Sequence, residues 1–157
     1  MATKKPYDWT KFTLHVFVEA SASKVFNAWT DDRQIVKWFP EKAGIEPCLG
    51  GRIQFEWLAG DKLDKKITAF SRHRRLDFPF GDKGEKVSIR IKTVTGGAVC
   101  SLTQSGMKNS PKGRLLHTGC MQGWTFFLTN LKCWLEHGID LRSHDPRRSY
   151  RQNFVNS

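Results

Sequence analysis

The stretch that decides the fold is CMQGWTFFLTNLKCWLEHG, residues 120–138. Its large apolar residues recur at spacings of four, three and four, as on one face of an α-helix: Trp124, Leu128, Leu131 and Leu135. Glycine directly after such a periodic segment, here Gly138, is a typical helix stop. Because so broad an aromatic stripe is not stable alone, the sequence predicts a C-terminal helix packed on a concave apolar surface. The helix can begin well before Cys120, since Ser110-Pro111 is a typical helix start.

The segments before this helix supply that surface. Alternation of apolar and polar residues predicts strands over residues 11–19, 52–58, 63–71, 74–80, 85–94 and 98–105. Two short helices follow the first strand, with apolar stripes around Phe26-Trp29 and Trp38-Phe39, and Pro40 ends the second. Short connections favour antiparallel pairing, so we predict an α+β domain in which one long helix covers one face of the sheet. If the sheet curves, a pocket forms between sheet and helix.

Composition and charge limit the class of protein. The chain has 157 residues, typical of one domain, and carries 26 Lys and Arg against 15 Asp and Glu, a net charge of +11. We interpret this charge as a solvated basic face plus basic tails, with an anionic partner as the alternative. The four cysteines form no CxxC pair and share no ligand spacing with the histidines, so neither a metal site nor a cofactor is predicted. No apolar run is long enough for a signal or a membrane span, which predicts a cytoplasmic protein without membrane insertion.

An ordered set of short motifs carries a family resemblance. The motifs are Phe26-Asn-Ala-Trp-Thr, Trp38-Phe39, Gly50-Gly-Arg-Ile-Gln-Phe, Gln122-Gly-Trp with Leu128, Asn130-Leu-Lys and Leu135-Glu-His-Gly. In this order they resemble the family named for the activator of heat-shock chaperone ATPase, within the START-like, or birch-pollen-allergen-like (SRPBCC), superfamily. The resemblance implies a helix-grip fold: a curved antiparallel sheet of about six strands wrapped around the C-terminal helix over a hydrophobic cavity. We therefore place the domain at residues 8–140, with basic, flexible tails at 1–7 and 141–157.

Two departures from the family limit what the resemblance implies. Many members carry a histidine near the end of the last strand, where this sequence has Gln104. The eukaryotic co-chaperone that names the family activates its chaperone through a separate N-terminal domain, for which we expect no room in this chain. Chaperone ATPase activation is therefore not part of the expectation.

The first functional hypothesis is a binding module for an apolar or amphipathic small molecule, held between sheet and helix. The residues expected to line this cavity are Trp38, Phe55, Trp57, Phe78, Ile89, Leu102, Trp124, Phe127, Leu128 and Leu131. The alternative is that these residues simply fill the core, which is the commoner fate of aromatic residues at helical spacing.

The other hypotheses concern proteins, chemistry and nucleic acid. Lys86, Arg90 and Lys92 project together from the outer sheet face and could meet an acidic protein partner, such as a chaperone in a stress response. No catalytic constellation is visible, because Glu56 and Asp77 are expected to point outward and His117 and Gln104 to be an exposed loop residue and a hydrogen-bonded strand residue. Specific nucleic-acid binding ranks last, since no recognition motif accompanies the charge.

Overall fold

The computed structural model describes residues 2–157. In chain order its helices and strands are β1 (Phe12–Val18), α1 (Ala22–Thr30), α2 (Asp32–Ile35), β2 (Lys42–Ile45), β3 (Arg52–Glu56), β4 (Lys62–Lys66), β5 (Ala69–Ser71), β6 (Arg75–Pro79), β7 (Lys86–Val94), β8 (Gly97–Ser105) and α3 (Pro111–His137). Two single-turn 3₁₀ helices follow, at Pro146–Arg148 and Tyr150–Gln152. The predicted order of one strand, two short helices, a series of strands and a long C-terminal helix is confirmed, with differences in the individual strands.

The eight strands form two antiparallel sheets that grip one helix. Five strands pair in the order β1-β8-β7-β6-β5 and three in the order β2-β3-β4. The chain passes between the sheets at Ile67, whose N–H donates to the Gly51 carbonyl at 2.8 Å and whose carbonyl accepts from Gly50 N–H at 2.9 Å. This arrangement confirms the predicted α+β helix-grip class.

Helix α3 has the signals that its sequence predicts at both ends. The Ser110 side chain accepts a hydrogen bond from Gly113 N–H, and Pro111 occupies the first turn, where its missing N–H costs nothing. Gly138 ends the helix at φ 67°, a left-handed conformation that glycine adopts without steric cost. The face carrying Trp124, Leu128 and Leu131 is buried against the sheets.

Helices α1 and α2 close one end of the grip. Ser21 and Asp31 cap them by accepting from Lys24 N–H and Arg33 N–H. Trp29 and Trp38 are fully buried edge to face with ring centroids 4.7 Å apart, and Trp38 Nε1 donates to the Ala28 carbonyl at 2.9 Å. A buried indole that satisfies its N–H in this way fixes the kink between the two helices.

The strand boundaries differ from the sequence prediction in two places. Strand β2 was not predicted, because Lys42–Ile45 has weak alternation and is held at the edge only by pairing with β3. The predicted strand 63–71 is wrong as a single element: it divides into β4 and β5, which belong to different sheets, since the turn through Ile67 changes the pairing partner.

Asp77 lies on the outer sheet face, as expected, but it is not exposed to water. The carboxylate lies on the outer sheet face but is only 2% exposed, with Arg75, Ser88 and Arg90 donating to it at 2.7 Å. Burial alone would raise the pKa of Asp77, but the hydrogen bonds from Arg75, Ser88 and Arg90 outweigh burial and hold this pKa below its ordinary value. The buried carboxylate is thus neutralised by its own sheet.

The C-terminal segment, residues 139–157, lies against the body of the domain. Arg142 is 7% exposed, and its guanidinium donates to the carbonyls of Val36, Phe39 and Pro40 at 2.7–2.9 Å. Arg142 thereby caps the end of α2, where carbonyl groups would otherwise lack partners. The boundary at residue 140 stays a prediction, but the contacts of Arg142 join the segment beyond it to the domain.

Candidate functional site

A pocket of about 620 Å³ opens beside α3, between the β3–β4 turn and the C-terminal segment. We call it the aromatic pocket. Its main walls are aromatic side chains from four parts of the chain: Phe39, Trp57, Phe80, Trp124 and Phe127. The floor along α3 is formed by Gly119 and Gly123. The pocket therefore lies where α3 leaves the grip of the sheets.

The aromatic walls are locked by mutual packing. The Phe39 ring lies 4.9 Å from that of Trp124 and 4.8 Å from that of Phe127, and the Phe80 ring lies 5.2 Å from Trp124, measured between centroids. These are ordinary separations for interacting aromatic pairs, and each such pair contributes about 0.5–1.5 kcal/mol beyond its buried area. The walls are thus preorganised rather than collapsed into the pocket.

The floor of the aromatic pocket has no side chains at Gly119 and Gly123. A Cβ added at Gly119 or Gly123 would meet no atom within 4 Å, because both positions face open space. Glycine in a helix interior costs up to about 1 kcal/mol relative to alanine, so the fold gives up stability at these two positions. Because both glycines line the pocket, the absence of side chains there leaves that space open.

Trp124 is oriented by a polar contact beneath the pocket. Its Nε1 donates to Gln104 Oε1 at 2.9 Å, and Gln104 Nε2 in turn donates to Cys120 Sγ at 3.4 Å. Gln104 is only 1% exposed. Burial raises the pKa of the Cys120 thiol, so the group next to Gln104 is a neutral thiol at neutral pH.

A second cavity of about 360 Å³ adjoins the first and shares Trp57, Phe80, Leu116 and Cys120 with it. We call it the polar compartment, because apart from Leu63 and Gly81 its other lining residues carry charged or amide side chains: Lys62, Asp64, Lys65, Asp82, Glu85 and Gln104. The two cavities together offer an apolar surface that continues into a polar one.

The C-terminal segment forms the outer wall of the aromatic pocket. Tyr150, Phe154 and Val155 line it, and all three remain exposed on their other side. The Tyr150 hydroxyl donates to Asp61 Oδ2, and Arg151 pairs with Asp61 Oδ1 at 3.2 Å, which fastens the segment to the β3–β4 turn. Since this wall is held by exposed contacts, it is weaker than the wall made by α3.

The base of the C-terminal segment is held more firmly. Buried Asn130 donates to the Trp38 carbonyl and to Asp140 Oδ1, both at 2.9 Å, and accepts from Leu141 N–H at 2.8 Å. Burial alone would raise the pKa of Asp140, but hydrogen bonds from Arg142 and Asn130 lower it to about 2. The network ties α3 to the end of α2.

The ten residues expected to line a cavity fall into two groups. Trp57, Trp124 and Phe127 line the aromatic pocket. The other seven are buried in the core and do not line the pocket: Trp38, Phe55, Phe78, Ile89, Leu102, Leu128 and Leu131. These seven side chains pack between sheet and helix, in agreement with the alternative that they fill the core.

Several pocket residues were missed by the sequence reading. Phe39 and Phe80 had been assigned to a helix stripe and a strand face, and the apolar residues of the C-terminal segment to a tail. A usable signal was present in Phe154-Val155, an apolar pair in an otherwise polar and basic stretch.

His117 and Gln104, the two polar residues for which a catalytic role was not expected, lie in different places. His117 is buried: its Nδ1 donates to the Trp9 carbonyl at 3.0 Å and its Nε2 accepts from the Tyr7 hydroxyl at 2.7 Å. The exposed-loop expectation is therefore wrong for His117, which fastens the N-terminal segment to α3. Gln104 is the hydrogen-bonded strand residue expected, and it also lines the polar compartment.

The basic outer face is partly neutralised. Arg90 pairs with Asp77 at 2.7 Å, whereas Lys86 and Lys92 are exposed and have no acidic partner within residues 2–157. Arg52 lies in the other sheet and pairs with Asp64, so it does not add to the basic face formed by Lys86, Arg90 and Lys92.

The described part of the chain shows no cluster of three or more His, Cys, Asp or Glu side chains that could hold a metal ion. The four cysteines are free thiols, with Cys48 exposed and Cys100 buried. None of the helices in residues 2–157 has the length and apolar character needed to cross a membrane.

A gripped helix, flanking short helices and a pocket beside them define the START-like class, and comparison with known proteins agrees. Residues 19–136 match the family described as activator of Hsp90 ATPase homolog 1-like protein, so the chain belongs to this family. No curated protein matches it in sequence.

Solved structures share the fold at low sequence identity. A protein from Staphylococcus saprophyticus is 20% identical, with a TM-score of 0.76 over 85% of this chain and 96% of that one. The Aha1 dimer from Colwellia psychrerythraea is 22% identical, with a TM-score of 0.72 over 82% and 97%. A Mesorhizobium loti protein is 20% identical, with a TM-score of 0.72 over 82% and 98%. At these identities the likeness shows the fold alone.

Proposed function

We propose that this protein binds an apolar or amphipathic small molecule in the aromatic pocket. The observation that carries the proposal is the pairing of a rigid aromatic wall, centred on Phe39 and Trp124, with a floor of glycines that leaves about 620 Å³ beside it. Ligand sites in proteins commonly occupy about 300–1,000 Å³ and are lined by apolar and aromatic groups with a few polar ones. The pocket has both properties.

The distribution of the ten expected residues refines the proposal. The site lies toward the first half of α3 and the C-terminal segment, where Trp57 and Phe127 are only half-buried. A ligand there would cover these rings and the inner sides of Tyr150 and Phe154. We therefore propose Trp57, Trp124 and Phe127 as ligand contacts, with Phe39 and Phe80 added.

The test is to fill the pocket from its floor. The neutral fluorescent probe N-phenyl-1-naphthylamine should bind the folded protein saturably. Gly123→Leu should abolish this binding, because its side chain enters the pocket without meeting any atom close to the backbone. The matched control is Thr125→Leu, which adds the same residue on an exposed side of the same helix and should leave the affinity unchanged.

Two results would count against the proposal. One is an absence of saturable binding by the folded wild-type protein. The other is equal binding by Gly123→Leu and wild type, which would place the probe elsewhere. Circular dichroism of each variant confirms that binding is compared between folded proteins.

A second candidate is a protein-interaction module acting in the cytoplasm, in association with a chaperone during stress. The family description names a chaperone ATPase activator, and the outer sheet face presents Lys86 and Lys92 without acidic partners in residues 2–157. Such a face would attract an acidic partner by salt-sensitive steering. Charge reversal at both lysines should then abolish capture of a purified chaperone at low salt, whereas Arg33→Glu, on α2, should not.

A further inference from the structure

The described part of the chain has two buried acidic residues, Asp77 and Glu85, and their carboxylates have different hydrogen-bond partners. Asp77 is 2% exposed and receives two arginines and a serine hydroxyl. Glu85 is 9% exposed, and its carboxylate accepts a hydrogen bond from the backbone N–H of Lys83, 2.8 Å from Oε2. Within residues 2–157 no Lys, Arg or His nitrogen lies within 4 Å of the Glu85 carboxylate, although the chain has 26 Lys and Arg.

A buried carboxylate without a cation is costly, because a single backbone amide replaces only part of the hydration that it loses. The local backbone holds it in place nonetheless. Gly81 has a φ of 137°, and a Cβ there would lie 2.5 Å from Glu85 Oε2, so glycine is what permits the carboxylate to fold against this turn. The Lys83 amide thus holds the carboxylate beside Gly81, where the absence of a side chain leaves room for it.

Glu85 lines the polar compartment, next to the aromatic pocket. Trp57 and Phe80 border both cavities, so a molecule lying on these rings can reach the carboxylate without leaving the protein. Aromatic faces also attract cations through the ring quadrupole. The surroundings of Glu85 thus favour a positive group on an apolar body.

The lysines of the polar compartment do not favour an anionic group to the same extent. Lys65 pairs with Asp82 at 2.8 Å, and Lys62 lies 3.8 Å from Glu56, so both positive charges already have acidic partners. The unpaired charge that remains is the negative one on Glu85.

We propose that Glu85 anchors the protonated amine of an amphipathic ligand whose apolar body lies against Trp57, Phe80 and Trp124. This inference rests on the proposed function, because it names the ligand class for the same site. Gln104 and the neutral Cys120 thiol lie beside Glu85 and supply hydrogen-bond donors for a neutral oxygen on the same ligand.

The test uses three probes that share one fluorescent ring system and differ only in the polar end. These are 9-(aminomethyl)anthracene, which is protonated at neutral pH, 9-(hydroxymethyl)anthracene, which is neutral, and anthracene-9-carboxylate. Wild-type protein should bind the amine about tenfold more tightly than the alcohol, as expected for one charge-assisted hydrogen bond in a buried site, and should bind the carboxylate weakest. Glu85→Gln should remove the preference for the amine and leave the affinity for the alcohol within about twofold, on the same principle.

The control is Glu19→Gln, the same substitution at an exposed position outside both cavities, which should retain the preference for the amine. Equal affinity of wild type for amine and alcohol, or tighter binding of the carboxylate, would overturn this inference while leaving the proposed function intact. If none of the three probes binds although N-phenyl-1-naphthylamine does, the inference fails and the proposed function stands; if no probe of either kind binds, both fail. If Glu85→Gln does not fold, the ranking by wild-type protein still tests the inference, since equal binding of amine and alcohol would overturn it.

Discussion

Replacing Asp140 by Asn tests whether the chain beyond the family match is part of the folded domain. The pKa of Asp140 is lowered from 3.8 to about 2 by its contacts with Arg142 and Asn130, and its side chain is 23% exposed. At about 1.36 kcal/mol per pKa unit, this lowering corresponds to roughly 2 kcal/mol of stability. Because the pKa is lower in the folded state, the contribution is complete above pH 3.8 and is lost as the pH falls through about 2.

The assay is urea unfolding of wild type and Asp140→Asn across the range from neutral to acid pH. We expect the variant to be less stable by about 1–2 kcal/mol at pH 7, since Asn keeps some of the hydrogen bonds but not the charge. The difference should shrink as the pH falls toward 2. The control is Asp82→Asn, which removes an exposed ion pair with Lys65 and should change stability little at any pH. Equal stability of Asp140→Asn and wild type at pH 7 would refute the proposed role of this network.

Three further measurements test the helix, the thiols and the aromatic wall. Gly123→Ala should raise the free energy of unfolding by about 0.5–1 kcal/mol because its Cβ meets only open space, whereas Gly113→Ala should lower it, since its Cβ would lie 1.7 Å from the Lys108 carbonyl oxygen; urea unfolding of both variants checks the contrast. An alkylating reagent should modify Cys48 in the native protein but Cys100 only after unfolding, because burial raises the pKa of Cys100 to about 12; mass spectrometry of the digested protein distinguishes the two sites. Trp124→Ala should cost about 3–5 kcal/mol in the same unfolding assay, and a much smaller loss would contradict its buried, hydrogen-bonded position.

The fold could be read from the sequence because its signals are local. Helix α3 follows from a cap at Ser110, apolar spacing and a stop at Gly138, and each of these acts within a few residues. Strand β7 follows from strict alternation of apolar and polar residues, and the apolar residues Val87, Ile89 and Ile91 are buried as this pattern predicts. The division of 63–71 into two strands could not be predicted in this way. It depends on a hydrogen bond between Ile67 and Gly51, which lie close together only once the strands have paired.

The candidate site could be predicted less well, because apolar pattern does not distinguish a core wall from a pocket wall. Leu102 and Trp124 both face inward, but only Trp124 lines the aromatic pocket. Whether an inward side chain lines a pocket depends on what lies opposite it. The pocket beside Trp124 is bordered by the β3–β4 turn and the C-terminal segment, which are distant from Trp124 in sequence. The burial of Glu85 could not be predicted from the sequence either, since a Glu at the start of an alternating strand is normally exposed.

The aromatic stripe on α3 needs both a sheet and a pocket to account for it. Where the helix is gripped, Leu128 and Leu131 are covered by the sheets and α1–α2, and no space remains. One and two turns earlier the helix carries Gly123 and Gly119 instead of large residues, and the aromatic side chains around them stand apart. Because alanine at either position would strengthen the helix without a clash, packing alone does not account for glycine there. The proposed ligand, by occupying this space, would account for both the glycines and the half-buried rings of Trp57 and Phe127 around them.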